Sequence, residues 1–340
     1  MVSRVVAAVV IVAAAIAVLV AAWPQLLGLE RTMGVAQLAA FRAAALVAGV
    51  ALVIVLLLIA LVSRRIRRFV GSLALIVVVF CFVEGIVVVD RGMGDGSLPT
   101  AAAGDITVLE WNTLGDSPAP AEVAALAVDH GADVVVMPET TVEFGDAVAA
   151  HAKASGVEFD VLSAHFDLVS RARSTTMLVA KRLGVYRVDS SVGSTGQLPS
   201  IVARPAHGSG PTLVAVHVVA PTPAEFATWK TDLDWVARTC TGGNIIMAGD
   251  FNSTVDHWAH LPRTAGADLG ACADAGLATG NGSVGTWPTS APALVGTPID
   301  HVLAGSDWRV TGMRVIESED GAGSDHRPTL TQLTPATVKP

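Results

Sequence analysis

From Ala43 to Val62 the chain reads AAALVAGVALVIVLLLIALV, twenty residues without a charge. As a helix this run is long enough to cross the roughly 30 Å hydrocarbon core of a bilayer. Nothing between Val5 and Trp23 is charged either, and Phe69 to Val89 carries a single acid, Glu84. Three transmembrane helices, about 5–23, 43–62 and 69–89, are therefore expected to make residues 1–90 a membrane anchor. Glu84 falls about 9 Å from the end of its run at 1.5 Å per residue. It is read as an interfacial acid whose carboxylate reaches water, rather than as a membrane-embedded functional group. Arg4, the apolar stretch after it and VAAW also fit a cleaved signal peptide; the two later runs anchor the chain on either reading.

The basic residues set the expected orientation. SRRIRR (63–68) puts four arginines between the second and third runs and Arg4 precedes the first, whereas GLERTMG between the first two runs is nearly neutral. Basic loops stay cytoplasmic, so the N-terminus is expected inside and everything after about residue 90 outside, on a multi-pass cell-membrane protein. Residues 1–89 hold 7 of the 22 Lys and Arg and 2 of the 30 Asp and Glu. The remainder has 15 basic against 28 acidic residues, net about −13, and lacks the broad basic footprint of a protein built to hold long nucleic acid. Cys240 and Cys272 fall in this part, where a disulfide would persist. Sequence leaves open both a bond and two separate thiols.

RGMGDGSLPTAAAG (91–104) is rich in Gly and small residues, lacks periodicity and reads as a flexible linker. Residues 105–335 then have the length of one domain. Short apolar runs recur there: ITVLEWN (106–112), ADVVVMPE (132–139), TTMLVAKR (175–182), TLVAVHV (212–218), NIIMAGD (244–250), IDHVLAG (299–305) and HRPTLTQL (326–333). All have strand length and β-branched content. Two helices are expected between them. PAEVAALAVDHG (120–131) stops at Gly131. TPAEFATWKTDLDWVARTC (222–240) offers Thr222 as N-cap, Pro223 at the first helical position and Glu225 to close a capping box. Phe226, Trp229, Leu233 and Val236 then share one face, suited to packing on a sheet. Strands mixed with helices in this way mean a layered α/β or α+β domain.

The ends of these runs share one kind of chemistry. Asn112 ends the first, Glu139 the second and His217 the fourth; Asp250 and Asn252 follow Gly249 at the exit of the fifth; Asp300 begins the sixth, and Asp325 and His326 precede the last. These are groups that hold metals and move protons, where an undedicated surface would show Lys, Ser and Thr as often. Singly, each has an ordinary explanation. Asp250 and Asn252 suit a turn, Glu139 a solvated strand end, and His217 a hydrogen-bonded core position. Asp300 and His301 point to opposite faces of a strand; Asp300 is assigned to the site and His301 to structure. Adjacent Asp325 and His326 ahead of an X-Pro strand start are costly to bury without a purpose.

Taken together and in order, EWN (110–112), MPE (137–139), VAVHV (214–218), AGDFN (248–252), IDHVL (299–303) and GSDHRP (323–328) resemble the endonuclease/exonuclease/phosphatase superfamily, the DNase I-like metal-dependent phosphoesterases, over about 220 residues. GDFN followed by IDHVL and SDHRP is the most specific part. The resemblance implies an α/β domain built as a four-layer α-β-β-α sandwich with the site at one edge, here in a membrane-anchored, bacterial-type member. It implies Mg²⁺ or Mn²⁺, which favour oxygen ligands, held by Glu139 with Asn112 and Asp325 nearby. His326 is then general base or polarising donor with Asp300 on its other N–H, Asp250 positions or deprotonates water, and Asn252 and His217 donate to the developing oxyanion. Which of Asp250 and His326 is the base stays open. There are departures. Pro138 stands where the family commonly has Gln, and RARSTTMLVAKRLG lacks the Asn or Tyr that often approaches phosphate. Arg171 and Arg173 either replace that contact or are exposed loop charges. Trp287 either stacks on a substrate ring or packs under its loop.

The expected protein is thus a Mg²⁺/Mn²⁺-dependent phosphoric ester hydrolase at the outer face of a membrane. Its substrate would be a nucleic acid, a phospholipid head group or a small phosphate ester; its N-terminal helices would sit in the lipid bilayer, and no protein partner is predicted. The rival reading is a catalytically silent cell-surface binding module on the same sandwich. Such a module would be expected to have lost one of Glu139, Asp250, Asp300 or His326, and all four are present.

Overall fold

The computed structural model describes residues 2–94, 96–166 and 170–336. Asp95, inside the expected linker, and residues 167–169, inside the expected C-terminal domain, lie outside the described residues, as do Met1 and 337–340. The chain opens with α1 (Val2–Ala22), a short α2 (Val35–Ala40), α3 (Arg42–Val62) and α4 (Arg67–Arg91). Helices α1, α3 and α4 are long and apolar enough to cross a membrane. Val9, Ile16, Leu58, Leu75 and Phe82 lie exposed along them, an apolar belt far larger than a water-soluble monomer usually presents.

The C-terminal domain follows as β1 (Ile106–Glu110), α5 (Pro120–Asp129), β2 (Val134–Pro138), α6 (Val142–Ala154), β3 (Phe159–His165), β4 (Ser174–Ala180), β5 (Tyr186–Val188), β6 (Ile201–Pro205), β7 (Thr212–His217), α7 (Phe226–Thr239), β8 (Ile245–Asp250), β9 (Ala273–Asp274), α8 (Ala275–Ala278), β10 (Asp300–Ala304), β11 (Trp308–Val315) and β12 (Thr329–Pro335). Two six-stranded sheets result, ordered β11-β12-β1-β2-β4-β3 and β5-β6-β7-β8-β10-β9.

Strand alternation sorts the side chains into layers. Val134 and Val136 meet Ile246 and Ala248 between the sheets. Their neighbours Val135 and Met137 pack outward with Val123 and Val148 of α5 and α6, while Ile245 and Met247 pack outward with Trp229, Leu233 and Val236 of α7. Both faces of each central strand are therefore buried, which is why those strands read as unbroken apolar runs. The architecture is the four-layer α-β-β-α sandwich.

Several details depart from the sequence reading. Helix α7 begins at Phe226, with Glu225 at its N-cap; Thr222 instead closes a turn in which the Glu225 N–H donates to its Oγ1 at 3.3 Å. Strands β3, β5, β6, β9 and β11 were not marked by the apolar runs. Cys240 and Cys272 form a disulfide. The stretch expected as a linker lies along the domain: the Gly94 N–H donates to Gly280 O at 2.8 Å, and Leu98 packs with the outer core.

Glu84 is the main correction. It is 1% exposed, and Arg42 Nη1 lies 2.9 Å from both of its carboxylate oxygens. The same arginine donates to Asp256 of the C-terminal domain, as does Arg91 at 2.7 Å. Burial opposes the charge of Asp256, but Arg91 and then Arg42 hold its carboxyl below the ordinary range. Glu84 is therefore part of a buried ionic joint between anchor and domain, not an acid reaching for water. The segment between α1 and α3 completes the joint. Ala36 belongs to the core of the domain, His257 Nε2 bonds Ala36 O at 2.9 Å, and Gln37 Nε2 donates to Pro221 O.

Candidate active site

Strand register brings the acids together. Asp250, at the end of β8, lies directly opposite Asp300 of β10 on one side and His217 of β7 on the other. By alternation all three face between the sheets. Gly249 is required just before them: at φ 144° a Cβ there would sit 1.9 Å from Val216 O, so any side chain would force β7 and β8 apart. After Asp250 the chain turns sharply, with Asn252 at φ 44°, a conformation asparagine tolerates better than most residues. Asp250 Oδ1 accepts the Asn252 N–H at 2.7 Å, closing that turn.

Asn112 connects the two sheets. Its Nδ2 donates to Asp250 Oδ2 at 3.1 Å and to Glu139 Oε1 at 3.3 Å. Glu139 follows β2 in a left-handed conformation at φ 53°, strain of the kind that persists where surrounding structure demands it. Burial pushes the Glu139 carboxyl up, against the Asn112 hydrogen bond. Asn252 Nδ2 is engaged with Val218 O and Asp250 Oδ2, so both its amide hydrogens hold the turn in this geometry.

His326 completes the group. Its Nδ1 lies 2.9 Å and 3.1 Å from the two oxygens of Asp300, leaving Nε2 4.0 Å from Asp250 Oδ2 and 3.9 Å from Asp325 Oδ1. Burial alone would lower the imidazole, but Asp300, through charge and hydrogen bond, and then Asp250 raise it. Asp250 moves up in turn: burial first, then the negative Asp300, outweigh the attraction of His326. Asp325 is fixed by Trp287, whose Nε1 donates to Oδ2 at 2.8 Å. His217 lies beneath, bonded through Nδ1 to Thr175 Oγ1 at 2.9 Å. Burial, then the charge of His326, lowers it to about 3, so it is neutral at physiological pH.

Glu139, Asp250, Asn252, Asp325 and His326 line one cleft of about 380 Å³. Arg171 and Arg173 stay outside it; the first pairs with Asp116 at 3.5 Å and is largely exposed, and the second donates to Gln197. His301 takes the structural place expected of it, bonded to Asp274 and Ser253 O. A further acid, which the motif ends do not mark, faces the same interior: Glu110 is fully buried, accepts from Thr329 Oγ1, and is pushed well above its ordinary range by burial and by the charges of Asp300 and Asp250. The signal was available in parity, since 106, 108 and 110 share the inter-sheet face and an acid there has no water.

Four carboxylates, Glu139, Asp250, Asp300 and Asp325, thus converge on one imidazole, an excess of negative charge that suits a divalent cation. Asp325 Oδ1 is buried and accepts no hydrogen bond, and oxygen donors are what a hard ion takes. Asp250, Asp300 and His326 also bring one donor atom each within 4.8 Å of the others. Both oxygens of Asp300 are engaged by the imidazole and both of Asp250 by Asn112 and Asn252, so the less engaged carboxylates lining the cleft are Glu139 and Asp325.

A model of the Endonuclease/Exonuclease/phosphatase family matches residues 109–326. Among solved structures, humanized D. rerio TDP2 carrying 14 mutations aligns with a TM-score of 0.52 at 16% identity, covering 68% of this chain and 100% of that one. An endonuclease/exonuclease/phosphatase family protein from Leptotrichia buccalis C-1013-b aligns with a TM-score of 0.52 at 11% identity, covering 67% and 99%. At such identities the likeness speaks for the fold alone. Comparison with curated proteins returns no match.

Proposed function

Because the chain belongs to the endonuclease/exonuclease/phosphatase family, we propose that it is a membrane-anchored hydrolase of phosphate esters that works with a divalent metal. The observation that carries the reading is the His326–Asp300 pair, with its free Nε2 set 4.0 Å from Asp250 in a cleft that also holds Glu139 and Asp325. Mg²⁺ or Mn²⁺ bound by Glu139, with Asn112 and Asp325 beside it, would neutralise charge on the phosphoryl oxygens and orient the group for in-line attack.

The residues divide the remaining work. Asp250, raised by burial and Asp300, is a stronger base than a solvated carboxylate and takes the proton of the attacking water. His326, held charged by Asp300, donates from Nε2 to a phosphoryl oxygen as negative charge develops there. Asn252 and neutral His217 support Asp250 and the floor of the cleft.

In this reading α1, α3 and α4 cross a cell membrane, with the Arg64–Arg68 end cytoplasmic and the C-terminal domain at the outer face. The basic loop supports that orientation, and so does the Cys240–Cys272 disulfide, which reducing cytoplasm would not preserve. The test is hydrolysis of bis-(p-nitrophenyl) phosphate and p-nitrophenyl phosphate by the full chain in detergent, with Mg²⁺, with Mn²⁺ and with EDTA. Turnover that EDTA abolishes and metal restores is expected. Absence of metal-dependent turnover on either ester would favour the silent binding module.

A further inference from the structure

The membrane anchor supplies part of the cleft wall. Gln37, Ala40 and Phe41 line it together with Leu114, Leu198, Pro221, Trp287 and Ile299 of the C-terminal domain. Phe41 is the residue before α3, so the wall stands at the first turn of a membrane helix. Its ring lies 6.2 Å from that of Trp287, tilted by 56°, and Trp287 in turn holds Asp325 on the floor. Leu114 is 41% exposed, and its backbone N–H is bonded to Asn112 Oδ1 at 3.0 Å. The cleft that holds the acids is therefore also lined by apolar side chains, one of them at the end of a membrane helix.

Charge narrows what fits such a cleft. No Lys or Arg is among the described residues that line it, so beyond His326 and the metal at the reacting phosphate it offers no cations for the successive phosphates of a nucleic acid strand. The wall instead offers aromatic and aliphatic surface to whatever extends from the phosphorus atom. Resting on the phosphoesterase reading above, we infer that the substrate is a phosphate ester carrying a long apolar chain, drawn from the bilayer, and that Phe41 is a specificity-determining residue that selects for that chain.

The experiment uses the full chain in lipid nanodiscs and three p-nitrophenyl phosphodiesters that differ only in their second alkyl group: ethyl, hexyl and hexadecyl. Release of p-nitrophenol reads the same bond in each. The expected result is a kcat/KM for the hexadecyl ester at least about tenfold above the hexyl and higher still above the ethyl, since each buried methylene favours binding. Phe41→Ala should lower kcat/KM for the hexadecyl ester about tenfold more than for the ethyl ester, while Phe41→Leu keeps most of the chain-length preference. Leu114→Asn, at a left-handed position that asparagine tolerates, is a second variant expected to reduce the preference without disturbing the anchor. Equal kcat/KM for ethyl and hexadecyl esters, or equal losses on both in Phe41→Ala, would overturn the inference. A gain that stops at hexyl would overturn the bilayer origin and assign the substrate to water. Failure to cleave any of the three with Mg²⁺ or Mn²⁺ would overturn the phosphoesterase reading itself.

Discussion

Arg42 donates from Nε and Nη2 to the two carboxylate oxygens of Asp256, each at 2.7 Å, across 214 residues of sequence. The arginine opens a membrane-length helix, and the aspartate lies in the 3-10 turn Val255–Trp258, six residues beyond Asp250. Anchor and site are thereby joined through a largely buried ionic contact, with Glu84 and Arg91 completing the charge balance.

Breaking that joint from one side should be costly. Asp256→Asn leaves Arg42 and Arg91 facing a neutral amide, and loss of one partner from a buried ion pair typically destabilises by about 3–5 kcal/mol. Thermal unfolding of the full chain in detergent should show a clearly lower midpoint, with reduced phosphoesterase activity at temperatures the native protein withstands. An unchanged midpoint would mean that the joint does not hold the two parts together.

His257 should make the same region sensitive to acid. Nδ1 accepts the Thr254 N–H at 2.9 Å while Nε2–H donates to Ala36 O, so a second ring proton would break the bond from Thr254 N–H and find only Thr254 Oγ1, at 3.4 Å. Burial lowers its pKa below 6.5. The unfolded chain therefore takes up this proton at higher pH than the folded one. The contribution to stability is complete above about pH 6.5 and declines as pH falls toward the depressed folded value. Unfolding free energy measured from pH 7.5 to 5 should drop more steeply in the native chain than in His257→Gln; parallel curves would remove His257 as the source.

Gly249→Ala should fail for a local reason. Its Cβ would meet Val216 O at 1.9 Å, and overpacking alone commonly costs about 1–3 kcal/mol, with the strain of φ 144° in addition. Lower yield and a lowered unfolding midpoint are expected, with the remaining folded fraction impaired in turnover because Asp250 is displaced. A variant with native stability and turnover would show that β7 and β8 separate freely.

Much of this was legible in the sequence because it depends on local pattern. NIIMAGDFN announces a buried strand, a glycine that permits close approach and two polar residues at its exit, and the structure puts Asp250 at that exit facing the cleft. Long runs with little or no charge also marked the three long helices, and short apolar runs rich in β-branched residues marked most of the central strands. What stayed hidden depends on partners distant in sequence. Glu84 reads as an acid near an interface until Arg42, 42 residues earlier, is seen beside it, and nothing in GLERTMGVAQLAAF says that Ala36 enters the core of a domain more than 60 residues away. Short edge strands such as β5 and β9, of three and two residues, carry too few side chains to show a period. Thr222 fits a cap by composition, yet the helix starts only where Phe226 and Trp229 find the sheet to pack on.

The most direct test of the central claim is a Mn²⁺ titration of the full chain, with turnover of bis-(p-nitrophenyl) phosphate followed in the same samples, for the native protein, Glu139→Ala and His326→Ala. The expected result is that Glu139→Ala weakens Mn²⁺ binding at least about tenfold, as loss of a direct ligand should. His326→Ala should keep near-native affinity while losing about 10²-fold or more in turnover, the usual weight of a donor aimed at developing negative charge. Equal Mn²⁺ affinity in the two variants, or undiminished turnover in His326→Ala, would contradict it.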